Sequence, residues 1–119
     1  MAVITLHKER LQYNFERLDY FFKLKEIQWS VVTKMLCGNE LFLKEVLNLK
    51  PNQVCDSRVS NLKAIKKINP KVETIYIKPT PKRSVASVVK YADISMNTDI
   101  ETIKLLSVEA QKQNKIHKI

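Results

Sequence analysis

One unit recurs along this chain: a short apolar segment rich in β-branched residues, a turn, and a segment with the apolar spacing of a helix. The predicted strands start near residues 29, 53, 73, 93 and 116, and this spacing is typical of parallel strands joined by helices. Such units close into an eight-unit barrel or remain an open, doubly wound sheet. A barrel of eight units needs about 250 residues, whereas this chain has 119. The sequence therefore predicts an α/β fold, with a leading helix and about the first four units of a partial (β/α)8 TIM-type barrel.

Apolar spacing and turn residues give the element boundaries. A leading helix is predicted over about residues 7–26, with a core face of Leu11, Phe15, Leu18 and Phe22. The predicted strands cover about 29–36, 53–55, 73–78, 93–96 and 116–119. The helices between them have predicted inner faces of Phe42, Val46 and Leu49; Leu62, Ile65 and Ile68; Val85, Val88, Val89 and Ala92; and Ile100, Ile103, Leu106 and Ala110. Because the chain ends inside a predicted strand, we expect a truncated barrel.

Polar residues that can accept hydrogen bonds from free backbone N–H groups mark the starts of the helices. The predicted caps, in chain order, are Asn39, Asp56 or Ser57, Thr80 followed by Pro81, and a capping box of Thr98 and Glu101. Each cap lies just after a predicted strand, so the strand-to-helix loops are expected to be short.

Gly38 is the single glycine of the chain, and this scarcity excludes several kinds of site. Dinucleotide fingerprints, phosphate-binding loops and the nucleophile elbow each need two or more glycines, because their backbone must turn sharply close to a ligand. Cys37 and Cys55 lack the partners of a zinc site or a disulfide framework, and both are interpreted as packing thiols. His7 and His117 are interpreted as surface or hydrogen-bonded histidines, and no metal site is predicted.

Charge and hydropathy bear on location and partners. The sequence has no uninterrupted apolar run of the about 18 residues that a transmembrane helix needs and no secretory layout at its start, so we expect a cytoplasmic protein. The formal net charge of +9 would suit nucleic acid or an acidic membrane. The charges are spread over nearly every predicted helix, however, and we interpret them as solvated helix surface with no nucleic-acid or membrane partner. A basic nucleic-acid-binding domain stays open as a distant alternative.

Lys34 is the main candidate for chemistry. It ends an apolar run that begins at Trp29, and this places an amine at the carboxyl end of a predicted parallel strand, where α/β folds keep their active sites. Low-dielectric surroundings disfavour the ammonium form of a lysine, and the free amine can condense with an aldehyde to give a Schiff base. The alternative interpretation is a solvated loop lysine without a catalytic role.

Four segments carry a resemblance to a known family. Val31-Val32-Thr33-Lys34 is followed by Cys37-Gly38-Asn39, and Cys55-Asp56-Ser57-Arg58 leads into Asn61-Leu62. In this order they resemble the amino-terminal part of the pyridoxal-phosphate-dependent racemases of the alanine racemase superfamily, and most of all its branch of ornithine and general amino-acid racemases. The resemblance spans essentially all 119 residues. It implies that residues 1–119 are the amino-terminal portion of a racemase-like barrel.

The resemblance implies a role for Lys34. This residue matches the family lysine that forms the internal aldimine with pyridoxal 5′-phosphate (PLP) and then moves the α-proton on one face of an amino-acid substrate. It further implies an isomerase that interconverts L- and D-amino acids and is a homodimer at full length. The family's second acid/base group, typically a tyrosine of the partner subunit, has no counterpart that can be assigned in this chain. The segment alone is therefore expected to be inactive.

Other residues are expected at the same edge of the sheet as Lys34. They are Asp56, Ser57 and Arg58 after the second strand, Lys78 after the third and Asn97 after the fourth. Arg58 and Asn97 are the candidates for contact with the cofactor. Asp56 and Ser57 are interpreted as helix caps, with a ligand role as the alternative.

Gly38 marks a departure from one part of the family. Alanine racemases carry a tyrosine four residues after the cofactor lysine, where it contacts phosphate, and this chain has Gly38 at that position. The difference points away from alanine racemase proper and leaves the identity of the substrate open. The alternative function is that of the single-domain relatives, which hold PLP without evident racemisation.

Overall fold

The computed structural model describes Met1 and residues 3–119. Its strands are β1 (Val31–Val32), β2 (Gln53–Asp56), β3 (Glu73–Tyr76) and β4 (Ile94–Ser95). Its α-helices are α1 (Lys8–Leu24), α2 (Glu40–Asn48), α3 (Val59–Ile68), α4 (Val85–Tyr91) and α5 (Ile100–Lys112). Short 3-10 helices at Lys34–Leu36 and Lys82–Ser84 follow β1 and precede α4. This alternation confirms the predicted α/β class with a leading helix.

The described strands form one parallel sheet in the order β1-β2-β3-β4. Crossovers between parallel strands are right-handed, so strands that neighbour each other in chain order place their connecting helices on the same face of the sheet. A doubly wound sheet instead reverses direction at a switch point and covers both of its faces. The observed order therefore favours the barrel alternative and is consistent with a partial (β/α)8 barrel.

The hydrophobic core lies between the sheet and the helices that follow it. Val54 and Tyr76 contribute from the strands, and side chains of α2, α3, α4 and α5 complete the cluster. Cys55 and Ile75 alternate with Val54 and Tyr76 along the strands; they are buried but lie outside this cluster. Because successive strand residues point to opposite faces, Cys55 and Ile75 belong to the other face of the sheet.

The predicted inner faces are confirmed for two helices and partly wrong for two. In α3 and α4 the predicted residues are buried, apart from Ile68, which packs against the core from a half-buried position. In α2 the buried residues are Leu43, Val46 and Leu47, so Phe42 and Leu49 were wrongly assigned. Several adjacent positions of α2 are apolar, and spacing alone does not decide which stripe faces the core. In α5, Leu106 and Ala110 are buried as predicted, whereas Ile100 at the first turn is exposed.

Helix α1 occupies the predicted place but buries less than predicted. Its Phe15 and Phe22 rings pack on Trp29, with ring centroids 5.2 and 5.5 Å apart. An ion pair between Lys8 and Glu45, 2.6 Å long, joins α1 to α2. Leu18, which was predicted to be part of the core face, is exposed, because α1 packs on Trp29 and α2 and contributes no residue to the main core. Within the described residues, no helix combines the length and apolarity needed to cross a membrane.

The outer strands are shorter than predicted. β1 contains only Val31 and Val32, and Lys34 begins a 3-10 helix instead of ending the strand. The N–H of Thr33 still donates to the Cys55 carbonyl at 2.9 Å, but the backbone of Thr33 has φ −102° and ψ 2°, which ends the extended conformation. The predicted fifth strand is represented by one parallel bridge between Ile94 and Lys118.

The helix caps are confirmed at one position and wrong at others. The Asn39 side chain accepts hydrogen bonds from two N–H groups of α2, as predicted. At α5 the cap is the Asp99 carboxylate, so the predicted box of Thr98 and Glu101 is wrong. The Thr80 hydroxyl does not cap α4, because the 3-10 helix Lys82–Ser84 intervenes.

Asp93, just before β4, connects three elements through one carboxylate oxygen. Its Oδ2 accepts hydrogen bonds from Lys66 Nζ of α3 at 2.6 Å, and from the backbone N–H and hydroxyl of Thr74 in β3 at 2.8 and 3.0 Å. Burial alone would raise the pKa of Asp93, but the hydrogen bonds from Lys66 and Thr74 and the Lys66 charge outweigh it and lower that pKa below its ordinary value. The charged form of Asp93 therefore stabilises the fold.

Replacing a core leucine of α3 should destabilise the protein far more than replacing a surface leucine of α2. Leu62 is fully buried, whereas Leu41 is 71% exposed. We expect Leu62→Ala to lower the free energy of unfolding by about 2–5 kcal/mol, because it leaves a cavity. Leu41→Ala should change it by about 0.5 kcal/mol or less. Urea denaturation followed by circular dichroism measures both, and equal effects would contradict the described core.

Stability should depend on pH through Asp93. Because its pKa is lowered in the folded protein, its contribution is present above the unfolded-state pKa and is lost as the pH falls through the lower folded-state pKa. At pH 7, Asp93→Asn should lower the free energy of unfolding by about 1–3 kcal/mol. The difference between variant and wild type should shrink in urea titrations below about pH 4. Glu9→Gln, a change on the exposed surface of α1, serves as control; a pH-independent effect of Asp93→Asn would contradict the assignment.

Candidate functional site

Lys34 lies at the carboxyl end of β1, in the loop formed by residues 33–39, which we call the Lys34 loop. Its side chain is exposed, and its amine forms no ion pair with another described residue. The low-dielectric surroundings expected from the sequence are thus not supplied by the described residues. The structure places the amine at the edge where chemistry is expected and leaves it accessible. Its catalytic role stays a prediction.

Asp56, at the end of β2, is buried beside this loop. Its Oδ2 accepts a hydrogen bond from the Thr33 hydroxyl at 2.9 Å, and its Oδ1 accepts from the Arg58 N–H at 3.0 Å and from Asn61 Nδ2 at 3.1 Å. Thr33, Asp56 and Asn61 are 1%, 0% and 4% exposed, and we call them the Asp56 network. Both carboxylate oxygens are satisfied inside the protein, so Asp56 is a structural group here.

Gly38 closes the other end of the Lys34 loop against the same network. Its φ is +75°, and a Cβ at this position would lie 2.7 Å from Asn61 Oδ1 and 3.3 Å from Asn61 Cγ. The Asn61 side chain cannot easily move away, because it is buried and bound to Asp56. The structure therefore leaves no room at position 38 for the tyrosine that alanine racemases carry.

Arg58 follows β2 and is exposed. It takes the N-cap position of α3 and makes no side-chain cap, so neither Asp56 nor Ser57 is the cap itself. Asp56 instead accepts from the Arg58 N–H and so shapes the turn that enters α3. Arg58 is itself the N-cap residue of α3, and at a helix start the free N–H groups and the helix dipole also favour an anion.

Asn97, after β4, is held in one orientation by its neighbours. Its Nδ2 donates to the Ser95 hydroxyl at 2.8 Å, and its Oδ1 accepts from the Thr80 N–H at 3.2 Å. The Ser95 hydroxyl lies 2.7 Å from His117 Nε2, and His117 Nδ1 lies 3.2 Å from the Ala92 carbonyl. A carbonyl only accepts, so Nδ1 carries a hydrogen, and in the neutral ring Nε2 then accepts from the Ser95 hydroxyl.

His117 has a defined place in this chain of hydrogen bonds. Burial lowers the pKa of His117, and the hydrogen bond to the Ala92 carbonyl offsets this only in part. The lowered pKa favours the neutral ring. The interpretation of His117 as a hydrogen-bonded histidine agrees with this geometry. Beside it, the Thr80 hydroxyl is buried and has no hydrogen-bond partner among the described residues.

The site residues share one edge of the sheet but are not all neighbours. Lys34, Arg58, Lys78 and Asn97 follow successive parallel strands. Parallel strands lie about 4.8 Å apart, so one spacing separates Lys34 from Arg58 and three spacings, about 14 Å, separate it from Asn97. Along this edge Arg58 is therefore the nearer neighbour of Lys34, and Asn97 lies farther away.

Some residues of the site were missed or misjudged from the sequence. Thr33 and Asn61 belong to two of the segments that carry the family resemblance, but the sequence analysis assigned neither of them a role. A threonine at the end of an apolar run, directly before Lys34, was the available signal for Thr33. The interpretation of Cys37 as a packing thiol is wrong, because Cys37 is exposed and Cys55 alone is buried. Within the described residues, no cluster of histidine, cysteine and carboxylate side chains is placed to hold a metal.

This chain is related to a known enzyme over nearly its whole length. No protein-family profile matches the chain, and no solved structure matches it significantly. The chain is 31% identical over 116 residues to the ornithine racemase of Acetoanaerobium sticklandii. The aligned segment covers 98% of this chain and 32% of that protein. This match confirms the resemblance found in the sequence, because the chain is homologous to a part of ornithine racemase.

Proposed function

We propose that this chain forms part of a PLP-dependent amino-acid racemase in which the amine of Lys34 holds the cofactor and moves the α-proton of the substrate. The observation that carries the proposal is an exposed primary amine at the carboxyl end of β1, on a segment homologous to ornithine racemase. Amino acids are the proposed substrate class, with ornithine as the first to test.

The donor groups at this edge fit PLP, which combines an aldehyde with a phosphate. The loops after β1, β2 and β3 contain no aspartate or glutamate, and their cationic residues are Lys34, Arg58, Lys78, Lys82 and Arg83. The neighbouring carboxylate of Asp56 is buried, and both of its oxygens are used by the Asp56 network. An aldehyde requires an accessible amine, and a phosphate requires cationic donors. Lys34 supplies the first, and Arg58, one strand away, is the proposed contact for an anionic group.

When bound, PLP supplies the electron sink that makes the α-hydrogen of an amino acid acidic. The chain's part is to deliver Lys34 Nζ to one side of that hydrogen, where the amine can accept a proton and return it. Racemisation needs a second proton donor on the opposite side. Tyr76 does not fit, because it lies in the helix-side core and burial raises its pKa. His117 Nε2 is engaged by Ser95. The second group is proposed to come from elsewhere in the complete enzyme.

A second candidate function is that of a PLP-holding protein without racemase activity. It is favoured by one observation: neither Tyr76 nor His117, among the described residues, fits the second proton donor that racemisation needs. Such a protein would need Lys34 and its cationic neighbours but no second proton donor. Racemisation of ornithine by the intact protein separates the two candidates. A cytoplasmic location, a homodimer and the absence of a nucleic-acid partner stay predictions.

Reductive trapping should locate the cofactor lysine. The chain is incubated with an equimolar amount of PLP and reduced with borohydride, and the pyridoxyl adduct is located by peptide mass spectrometry. We expect the adduct on Lys34 in preference to the other lysines, because Lys34 stands beside Arg58 at the carboxyl edge of the sheet. Lys34→Arg keeps the charge but removes the reactive amine, so it should abolish the selective adduct.

The matched control is Lys71→Arg. Lys71 is also exposed but lies in the loop before β3, at the opposite edge of the sheet. This variant should keep the selective adduct on Lys34. Labelling spread evenly over the lysines, or an unchanged adduct yield in Lys34→Arg, would refute the proposed role.

A further inference from the structure

The Lys34 loop is held at both ends by one buried side-chain network. We propose that Thr33, Asp56 and Asn61 are positioning residues for Lys34, which fix the loop that presents its amine at the edge of the sheet. The chemistry that this positioning serves rests on the proposed function. The mechanical claim, that the network sets the geometry of residues 33–39, stands on the contacts alone.

The first end of the loop is fixed through Thr33. Its hydroxyl donates to Asp56 Oδ2 at 2.9 Å, and its N–H donates to the Cys55 carbonyl at 2.9 Å. Thr33 and Asp56 are essentially inaccessible to water, so this hydrogen bond is not weakened by competition with solvent. The residue directly before Lys34 is therefore attached to β2 by both its backbone and its side chain.

The second end is fixed through Asn61. Gly38 lies so close to this side chain that a Cβ would stand 2.7 Å from its Oδ1. Asn61 Nδ2 in turn donates to Asp56 Oδ1 at 3.1 Å. One carboxylate thus connects both ends of the loop: Thr33 through Oδ2, and Gly38 through Oδ1 and Asn61.

The backbone between the two ends shows why such support is needed. Cys37 and Gly38 have φ values of 51° and 75°, and the left-handed conformation is unfavourable for a residue with a side chain such as Cys37. Three backbone hydrogen bonds lie within the loop: from the N–H groups of Leu36, Cys37 and Asn39 to the carbonyls of Thr33, Lys34 and Leu36, at 2.8, 3.3 and 3.0 Å. Lys34 itself is exposed, so its position depends on this backbone rather than on contacts of its own side chain.

The Asp56 network does more than shape the turn that enters α3. The hydrogen bond from the Arg58 N–H to Asp56 Oδ1 is enough for that turn. The hydrogen bond from Thr33 comes instead from the neighbouring strand and contributes nothing to α3. Thr33 is therefore the residue at which the two roles can be separated.

The experiment compares two buried threonines with the same kind of partner. Thr33 donates to Asp56, and Thr74 donates to Asp93; both threonines are buried. Thr33→Val and Thr74→Val each remove a hydroxyl at nearly constant volume, and Thr33→Ser restores the hydroxyl at position 33. Amide hydrogen exchange at Leu36 and Asn39, measured by NMR in the full chain, reports on the loop. The selectivity of the borohydride-trapped PLP adduct for Lys34 over Lys71 reports on the amine.

Both valine variants should lower the urea midpoint, but only Thr33→Val should affect the loop. We expect exchange at Leu36 and Asn39 to rise about fivefold in Thr33→Val, the effect of losing one buried hydrogen bond. The selectivity for Lys34 should fall on the order of tenfold, since small displacements of a reacting group are costly. Thr33→Ser should restore both values, and Thr74→Val should leave both unchanged.

Equal loop exchange in Thr33→Val and Thr74→Val would overturn the inference. If Thr33→Val does not fold, Gly38→Ala displaces Asn61 from the opposite end and should raise exchange at Leu36 in the same way; unchanged exchange there would also overturn it. A wild-type chain without a selective Lys34 adduct would refute the proposed function instead, and the exchange data would still decide the positioning claim.

Discussion

Two carboxylates, the fully buried Asp56 and the partly buried Asp93, accept hydrogen bonds from a neighbouring strand or its end and so join the strands of the sheet at two places. Asp56, at the end of β2, accepts a hydrogen bond from the hydroxyl of Thr33, which follows β1. Asp93, just before β4, accepts one from the hydroxyl of Thr74 in β3. Apolar side chains supply most of the free energy of folding, and their alternation decides which face of a strand is buried, but a shift of two residues would keep that alternation. An unsatisfied buried carboxylate is costly, so these contacts select one alignment of the strands. The apolar core then follows from that alignment.

The same requirement separates this chain from alanine racemases at the cofactor edge. Asn61 fills the space beside Gly38 because Asp56 holds its amide there. A tyrosine at position 38 would need both a different residue at 61 and a relaxed backbone, since φ at 38 is +75°. The residue at position 38 therefore depends on Asn61, and Asn61 is held by Asp56. In the proposed enzyme a phosphate contact would then come from another group, and Arg58, which follows the next strand, is the proposed candidate.

Sequence reasoning succeeded where one physical signal dominated. The spacing of Val85, Val88 and Val89 has a single apolar stripe, and the structure buries it as predicted. The placement of Lys34 at a strand end followed from the apolar run before it. Sequence reasoning failed where two local choices were nearly equal in energy. Thr98 and Asp99 can each cap α5, and the choice depends on the backbone path after β4, which the sequence does not reveal.

The candidate site could be predicted only in part for a related reason. Residues that follow strand ends share an edge in any parallel sheet, so Arg58 and Asn97 could be placed there without a structure. The hydrogen bonds that orient them could not, because they join residues far apart in sequence. His117 contacts the Ser95 hydroxyl, which in turn accepts a hydrogen bond from Asn97. Asn61 of α3 packs against Gly38. Such contacts depend on the packing of whole elements.

Position and desolvation are separate requirements for a reactive lysine, and the described residues meet only the first. The Asp56 network fixes the backbone on both sides of Lys34, whereas the side chain itself is exposed. A proton-transfer amine gains its efficiency from dry surroundings. In the proposed racemase, a bound cofactor and substrate or further protein must therefore cover this edge. The homologous enzyme is longer than this chain, so its remaining part is a natural source of such cover. A rigid loop in the uncovered state has a clear advantage: the amine needs only to be enclosed, because its backbone is already in place.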